Sequence, residues 1–466
     1  MRFVSGVFLV ACLAMCGQNV MAGADRVNGK SLLPQRVLAE AQARVDAKWY
    51  PTLVIAYVDG DRSEVETFGR LSNGAKPNGD TVYEIGSITK TFTAALLADE
   101  IRSGRVKTDT PVTALLPDYN VPARNGVSIT LADLATQSSG LPYMPENMRS
   151  ADAANPYADY DAAKLKAFLA GYVLKRNPGE AYEYSNLGFG LLGFALTQPQ
   201  HYGEALRAKI FQPLGMTMTA VGLTDRMKAH LATGHNNHNR EAENWRFDDA
   251  LAGCGSIDST GNDMLRYLKA NMAIGGTSMS SSFQLAQQPL RDVNKTERIG
   301  MAWMTRASLP EDVIWHNGTT FGYASFIGFT ADRKRGVVIL TNIGGSVDDL
   351  GFAALSDAPL RTYKTVAVDR SILSSDEGVF KTADGGLIKI YRQDGQLYAQ
   401  AKGEDGIPLF ALSSEEFFTR IDGFHLIFPR NGDGHNDSIV LRQQGGVDRV
   451  APRLEGAEAA AALSKF

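Results

Sequence analysis

Tyr83-Glu84-Ile85-Gly86-Ser87-Ile88-Thr89-Lys90-Thr91-Phe92-Thr93-Ala94 is the stretch on which the reading of this chain turns. Over 87–101 the apolar residues Phe92, Ala95, Leu96 and Leu97 recur near i, i+3 and i+4, which predicts a helix. Positions i and i+3 share a helix face, so the Lys90 amine can reach the Ser87 hydroxyl at the first turn. A serine hydroxyl is a weak nucleophile until a base stands beside it. A lysine serves once burial and neighbours bring its pKa toward neutral. Backbone amides at a helix start can also stabilise a developing oxyanion, and Gly86 lets the chain turn tightly into that start. Alone, S-x-x-K recurs by chance, so the rest of the chain decides its weight.

Upstream, residues 33–45 carry a helical pattern, and 52–58 and 63–68 are β-rich runs about the turn cluster Asp59-Gly60-Asp61, a hairpin. Residues 110–290 read as mostly helical segments broken by loops, with Thr260 capping a helix and Asp263 three residues on. Strand signals return at 299–304, 313–316, 323–329 and 336–341, and 353–363 looks helical. Strands at both ends with helices between them predict one sheet completed by distant segments. Helices would flank it, a helical subdomain would be inserted, and a cleft would lie where the two meet.

Near residue 366 the texture changes. Short β-rich runs at 378–381, 387–392, 396–401, 417–421, 424–428 and 438–442 are separated by Asp384-Gly385, Asp394-Gly395, Asp405-Gly406, Asp422-Gly423 and Asn431-Gly432. Such spacing predicts a small all-β barrel or sandwich over 370–454, followed by an Ala-rich tail, 455–466, that frays. The first domain would cover 31–365, with its insertion at about 110–290.

The 466 residues suit several domains, and 47 basic against 51 acidic residues exclude a strongly basic nucleic-acid binder. Arg2, an apolar stretch over 3–16 and Val20-Met21-Ala22 predict a secretory signal over 1–22, cut after Ala22. Leu9-Val10-Ala11-Cys12 offers a lipoprotein site as the lesser alternative, because the apolar run before it is very short. Beyond residue 20 no apolar run approaches the roughly 18 residues that span a bilayer. A periplasmic or secreted protein without an integral membrane segment is expected. Of three cysteines only Cys254 would remain, in Ala252-Gly253-Cys254-Gly255, as a buried small hydrophobe.

Two further motifs carry chemistry. In Tyr184-Ser185-Asn186, a phenol near a lysine ammonium can accept or relay a serine proton, and an amide two residues on can bond a substrate carbonyl and the lysine. In His316-Asn317-Gly318-Thr319, strand alternation puts His316 and Gly318 on one face. Gly318 leaves room for a substrate along the strand edge, and the Thr319 amide could be a second oxyanion donor.

Together Ser87-x-x-Lys90, Tyr184-x-Asn186 and His316-x-Gly318 resemble the serine β-lactamase and penicillin-binding-protein family, particularly its class C β-lactamase-like branch. That branch includes DD-carboxypeptidases, D-aminopeptidases and some esterases. Gln137-Ser138-Ser139-Gly140-Leu141-Pro142, Pro213-Leu214-Gly215-Met216 and Phe321-Gly322-Tyr323 also look like it, and the likeness covers about 33–365. It implies the α/β fold of β-lactamases and DD-peptidases, with Ser87 as acylated nucleophile. Lys90 and Tyr184 would share the base and relay work, and Asn186 would hold the substrate amide. The Ser87 and Thr319 amides would form the oxyanion hole. Two departures stand out: His316 replaces the Lys of many members' K-T-G, and Met144 sits where class C β-lactamases tend to carry Gln. A histidine with a pKa near 6.5 is mostly neutral at pH 7, so strong β-lactamase activity is not expected. His316 is expected to titrate between about 5.5 and 7.5 and to bind a substrate carboxylate. The trailing domain resembles the lipocalin-like modules appended to some of these hydrolases.

Other signals carry no site. His235 and His238 with Glu241 lack the i, i+4 zincin spacing, and residues 431–442 end on Arg442 where a calcium loop needs Glu. No metal, nucleotide or other cofactor is expected. The expected function is an exported serine hydrolase working through an acyl-enzyme on β-lactam amides or D-amino-acid-containing cell-wall peptides. The rivals are a carboxylesterase on the same site and a non-turnover penicillin- or muropeptide-binding protein.

Overall fold

The computed structural model describes residues 30–466, apart from 309, 361, 363, 403, 405, 420–423 and 444–447. The expected signal segment lies outside the described residues, as do parts of the Asp405-Gly406 and Asp422-Gly423 turns.

The hairpin Thr52–Asp59 and Arg62–Gly69 completes an eight-stranded sheet whose other strands come from 291–341. Thr52–Asp59 pairs antiparallel with Arg335–Thr341, setting Ile55 against Ile339 and Tyr57 against Val337. Distant segments therefore close one sheet, as the chain order predicts, and its strands run antiparallel. Thr52–Asp59 is buried over seven successive residues because both faces are covered. Val54, Ala56 and Val58 join the core under the Thr89–Arg102 and Gly261–Asn271 helices. Leu53, Ile55 and Tyr57 join a second core under Gln35–Asp46 and Asp348–Leu355. The period of two sorts them.

Some segments depart from expectation. The run 299–304 is two strands, Glu297–Ile299 and Met304–Arg306, split by Gly300 and by Ala302 at φ +64°. The helix expected over 353–363 is Asp348–Leu355: Asp348 and Asp349 favour its first turn, and Pro359 follows its end. Within 110–290 the longer helices are Ala162–Gly171, Asn186–Thr197 and Gly261–Asn271, and Ile257–Thr260 is a strand that joins Val82–Glu84 and Ala220–Val221 in a separate three-stranded sheet. Thr260 does cap Gly261–Asn271, accepting from the Asp263 amide.

Residues 378–452 form a second antiparallel sheet of eight strands in sequence order. A bridge between Phe380 and Arg453 brings its first and last strands together, so the barrel is nearly closed. Asp394 and Gly395 both have positive φ, the turn that suits a two-residue hairpin. Apolar side chains including Phe380, Leu397, Phe417, Phe428 and Ile439 fill the interior. Strands Ile407–Ala411 and Arg449–Pro452 were not expected. The tail does not simply fray: Gly456–Leu463 is a helix, which its alanines favour, and Ala462 is buried. Trp49 meets Phe418 of the barrel edge-on at 5.1 Å, and His238 Nδ1 lies 2.8 Å from the Gly406 carbonyl oxygen.

Candidate active site

Ser87 lies in a single 3-10 turn, Gly86–Ile88, that runs into the helix Thr89–Arg102. The turn exists because Gly86 takes φ +50° and because the strand Val313–Thr319 passes close behind it. A Cβ at Gly86 would sit 2.9 Å from the Thr319 amide nitrogen. One at Gly318 would overlap the Ile85 carbonyl oxygen and lie 2.6 Å from Ser325 Oγ and 2.9 Å from the Ser87 amide nitrogen. Two glycines thus let the Ser87 and Thr319 amides come together, the pair that could hold an oxyanion. Ser325 Oγ donates to the Ile85 carbonyl at 2.9 Å and ties the next strand to the same turn. Gly318→Ala is therefore expected to force the strand off the Gly86–Ile88 turn. We expect a loss of at least about tenfold in kcat/KM and an overpacking cost of about 1–3 kcal/mol in denaturant unfolding.

Lys90 is fully buried, and its Nζ meets three oxygens: Ser87 Oγ at 2.9 Å, Asn186 Oδ1 at 2.8 Å and the Cys254 carbonyl at 2.7 Å. Burial pushes its pKa down to about 8. The arithmetic of donors is informative. An ammonium has three hydrogens for three acceptors; a neutral amine has two, which Asn186 and Cys254 can take, leaving its lone pair facing Ser87 Oγ. The Tyr184 hydroxyl donates to Ser87 Oγ at 2.8 Å, and burial holds its phenol well above the usual range, so it stays protonated. Lys90 Nζ also lies 4.8 Å from the Tyr184 ring centroid.

The phrase Gln137–Pro142 gains its physical meaning here. Gln137 Oε1 accepts from the Ser185 amide at 2.7 Å, and Ser185 Oγ donates to the Pro142 carbonyl at 2.6 Å while capping Asn186–Thr197. That loop aims Tyr184 and Asn186 at Ser87. The Asn186 amide group also donates to the Tyr157 hydroxyl at 3.4 Å, and the Tyr157 hydroxyl lies 3.8 Å from Met144 Sδ.

His316 departs from expectation. It shares the site-facing side of its strand with Ile314 and Gly318 but is only 5% exposed. Its Nδ1 lies 2.6 Å from the Asn317 carbonyl; a carbonyl only accepts, so Nδ1 carries the hydrogen and Nε2 the lone pair. Burial, reinforced by the Lys90 charge, drives its pKa down to about 3, below the roughly 5.5–7.5 expected from its type. Alternation shows which face a residue takes, and burial decided the rest. A neutral ring donates nothing further to a carboxylate. His316→Gln is thus expected to leave every apparent pKa of kcat/KM between 5 and 8 unchanged. The unfolded chain binds this proton below about 6.5 and the folded one only near 3, so stability rises with pH across that window. Melting curves of His316→Gln should fall less steeply on acidification than those of the wild type.

The structure brings Ser87, Lys90, Tyr184 and Asn186 into direct contact and sets Gly318 and Thr319 against the Gly86–Ile88 turn. The Cys254 carbonyl is the partner that the sequence did not indicate. The pattern of the beta-lactamase family matches residues 37–359. Over 339 residues the chain is 25% identical to the D-alanyl-D-alanine-carboxypeptidase/endopeptidase AmpH of Escherichia coli K12, covering 66% of this chain and 86% of that protein. It is 25% identical over 434 residues to penicillin-binding protein 4* of Bacillus subtilis 168, covering 85% of this chain and 94% of that one, so this likeness runs into the barrel. The solved structure of a class C beta-lactamase superposes with a TM-score of 0.61 at 21% identity, covering 68% of this chain and 94% of the other. The match of family pattern covers the sheet, the inserted helices and the Gly86–Ile88 turn, and over that region the chain belongs to the beta-lactamase family.

Proposed function

We propose that the protein is an exported serine acyl-hydrolase that forms an acyl-enzyme at Ser87 and acts on D-amino-acid-containing cell-wall peptides or β-lactam amides. The observation that carries this reading is the Ser87 hydroxyl held between Lys90 Nζ at 2.9 Å and the Tyr184 hydroxyl at 2.8 Å. Ser87 Oγ attacks the carbonyl carbon while neutral Lys90 takes its proton, and the Ser87 and Thr319 amides receive the oxyanion. Tyr184 gives its proton to the departing amine nitrogen and is reprotonated from Lys90. Water then attacks the ester with the same groups in reverse. Asn186 holds both Lys90 and the substrate amide. The carboxypeptidase name borne by AmpH supports the peptide.

Neutral His316 favours a second reading, a carboxylesterase on the same site, since an uncharged ring tolerates uncharged esters. The test compares kcat/KM for a chromogenic cephalosporin, a D-Ala-D-Ala peptide and a p-nitrophenyl ester. The peptide or the cephalosporin is expected to lead by at least about tenfold. An ester that leads by that margin establishes the esterase, and labelling without turnover of any of the three would show a receptor.

A further inference from the structure

Two buried carboxyl groups stand behind the nucleophile turn and have no part in the chemistry just described. Glu84, three residues before Ser87, faces Asp258 across the antiparallel pair Val82–Glu84 and Ile257–Thr260. They are 4% and 3% exposed. Directly opposed side chains in such a pair have Cβ atoms about 4.5–5.5 Å apart. Glu84 Oε1 accepts from the Trp245 amide at 2.6 Å and from Asn244 Nδ2 at 3.1 Å, whereas buried Oε2 is outside hydrogen-bond distance or angle of any donor among the described residues and Thr320 faces the carboxyl. The groups facing the pair are Asp258 from its strand, Thr320 and Tyr323 from the turn after Thr319, and Asn244 and Trp245 from their loop. Among the described residues no cation faces it.

Two negative charges so placed would repel in a medium that screens them weakly. We propose that Glu84 and Asp258 share a single proton, and that this singly charged pair positions the Trp245 loop and the Thr319–Thr320 strand end around Ser87. The inference rests on the reading of Ser87 as nucleophile. The links are short. Trp245 packs on Phe321 at 4.9 Å and on Tyr157 at 4.8 Å, and the Tyr157 hydroxyl accepts from Asn186, which holds Lys90. Thr320 follows Thr319, whose amide faces the nucleophile turn. Glu84 is thus a positioning residue joined to both walls of the site.

The electrostatics agree. Burial pushes the Glu84 carboxyl up to about 7, and burial with the Glu84 charge raises Asp258 well above its ordinary value, so Glu84 ionises first. The folded state holds a proton that the unfolded chain releases above about 4.5, so stability falls as pH rises from there through 7. Once the pair loses its last proton, above about 7, the second charge loosens the clamp.

The experiment uses the full chain, with Glu84→Gln and Asp258→Asn. Either amide replaces the shared proton by a permanent N–H donor beside the remaining carboxylate, so one variant suffices if the other fails to fold. Infrared difference titration of wild type against each variant should show a protonated-carboxyl band at pH 6 that fades as pH passes about 7 and is missing from the variants. In parallel, the rate of Ser87 labelling by a fluorophosphonate is read at pH 6 and pH 9. The ratio of Glu84→Gln to wild type cancels the Lys90 titration and should rise about tenfold between them. A band absent from wild type at pH 6, or kept in both variants, overturns the shared proton. A flat ratio overturns its positioning role. Failure to label Ser87 at any pH overturns the nucleophile instead, and the infrared result still decides the pair.

Discussion

Replacing Ser87 with alanine is expected to remove roughly three or more decades of kcat/KM on every substrate the protein turns over, because it deletes the atom that would carry the acyl group. The prediction is sharp because little else changes. Ser87 Oγ receives hydrogen bonds from Lys90 and Tyr184, while Lys90 keeps Asn186 Oδ1 and the Cys254 carbonyl. The turn itself depends on Gly86 and on the strand behind it, neither of which the substitution touches. The folded state should therefore survive, with a melting temperature within a few degrees of wild type. A fluorescent penicillin or a fluorophosphonate should mark Ser87 in the native protein and leave Ser87→Ala unmarked. Undiminished labelling of the variant would place the nucleophile elsewhere. Residual turnover is expected to reflect the amide pair and substrate binding alone.

The parts of this site that could be read from sequence are those that side-chain type and local period determine. The i, i+3 spacing brought Lys90 to Ser87, and strand alternation put His316 and Gly318 on the face turned to the nucleophile. The hairpin at 52–68 and the return of strands after 299 were enough to predict a sheet closed by distant segments, since their patterns repeat over several residues. What stayed hidden is of another kind. The third partner of Lys90 is a backbone carbonyl, which every residue possesses, so nothing in the letters singles out Cys254. Glu84 and Asp258 meet through strands of three and four residues, too short for a period to show. The depth of His316 follows from what packs over its strand, so its type suggested a titration that burial suppresses. In the barrel, Asp-Gly turns marked the hairpins, but two strands beyond the clearest turns went unread.

The base is the role on which sequence left two candidates, and Lys90 is where the second large effect is expected. Lys90→Met keeps the length and apolar stem of the side chain but has no lone pair to offer. It should cost about two to four decades in kcat/KM, the range of a positioned general base. The pH profile separates this from mere packing. Wild-type kcat/KM should rise with an apparent pKa of about 8, where burial has placed the Lys90 amine. The sign follows from the chemistry, because only the neutral amine accepts the Ser87 proton and its fraction grows with pH. In Lys90→Met that rising limb should vanish. Tyr184, whose phenol burial keeps protonated, behaves differently: Tyr184→Phe should slow proton delivery to the leaving group while the limb remains. If Tyr184→Phe abolishes the limb and Lys90→Met retains it, the phenolate is the base and Lys90 only its counter-charge. The two N–H acceptors around Lys90 argue for the first outcome, since Asn186 Oδ1 and the Cys254 carbonyl accommodate a neutral amine and direct its lone pair at Ser87.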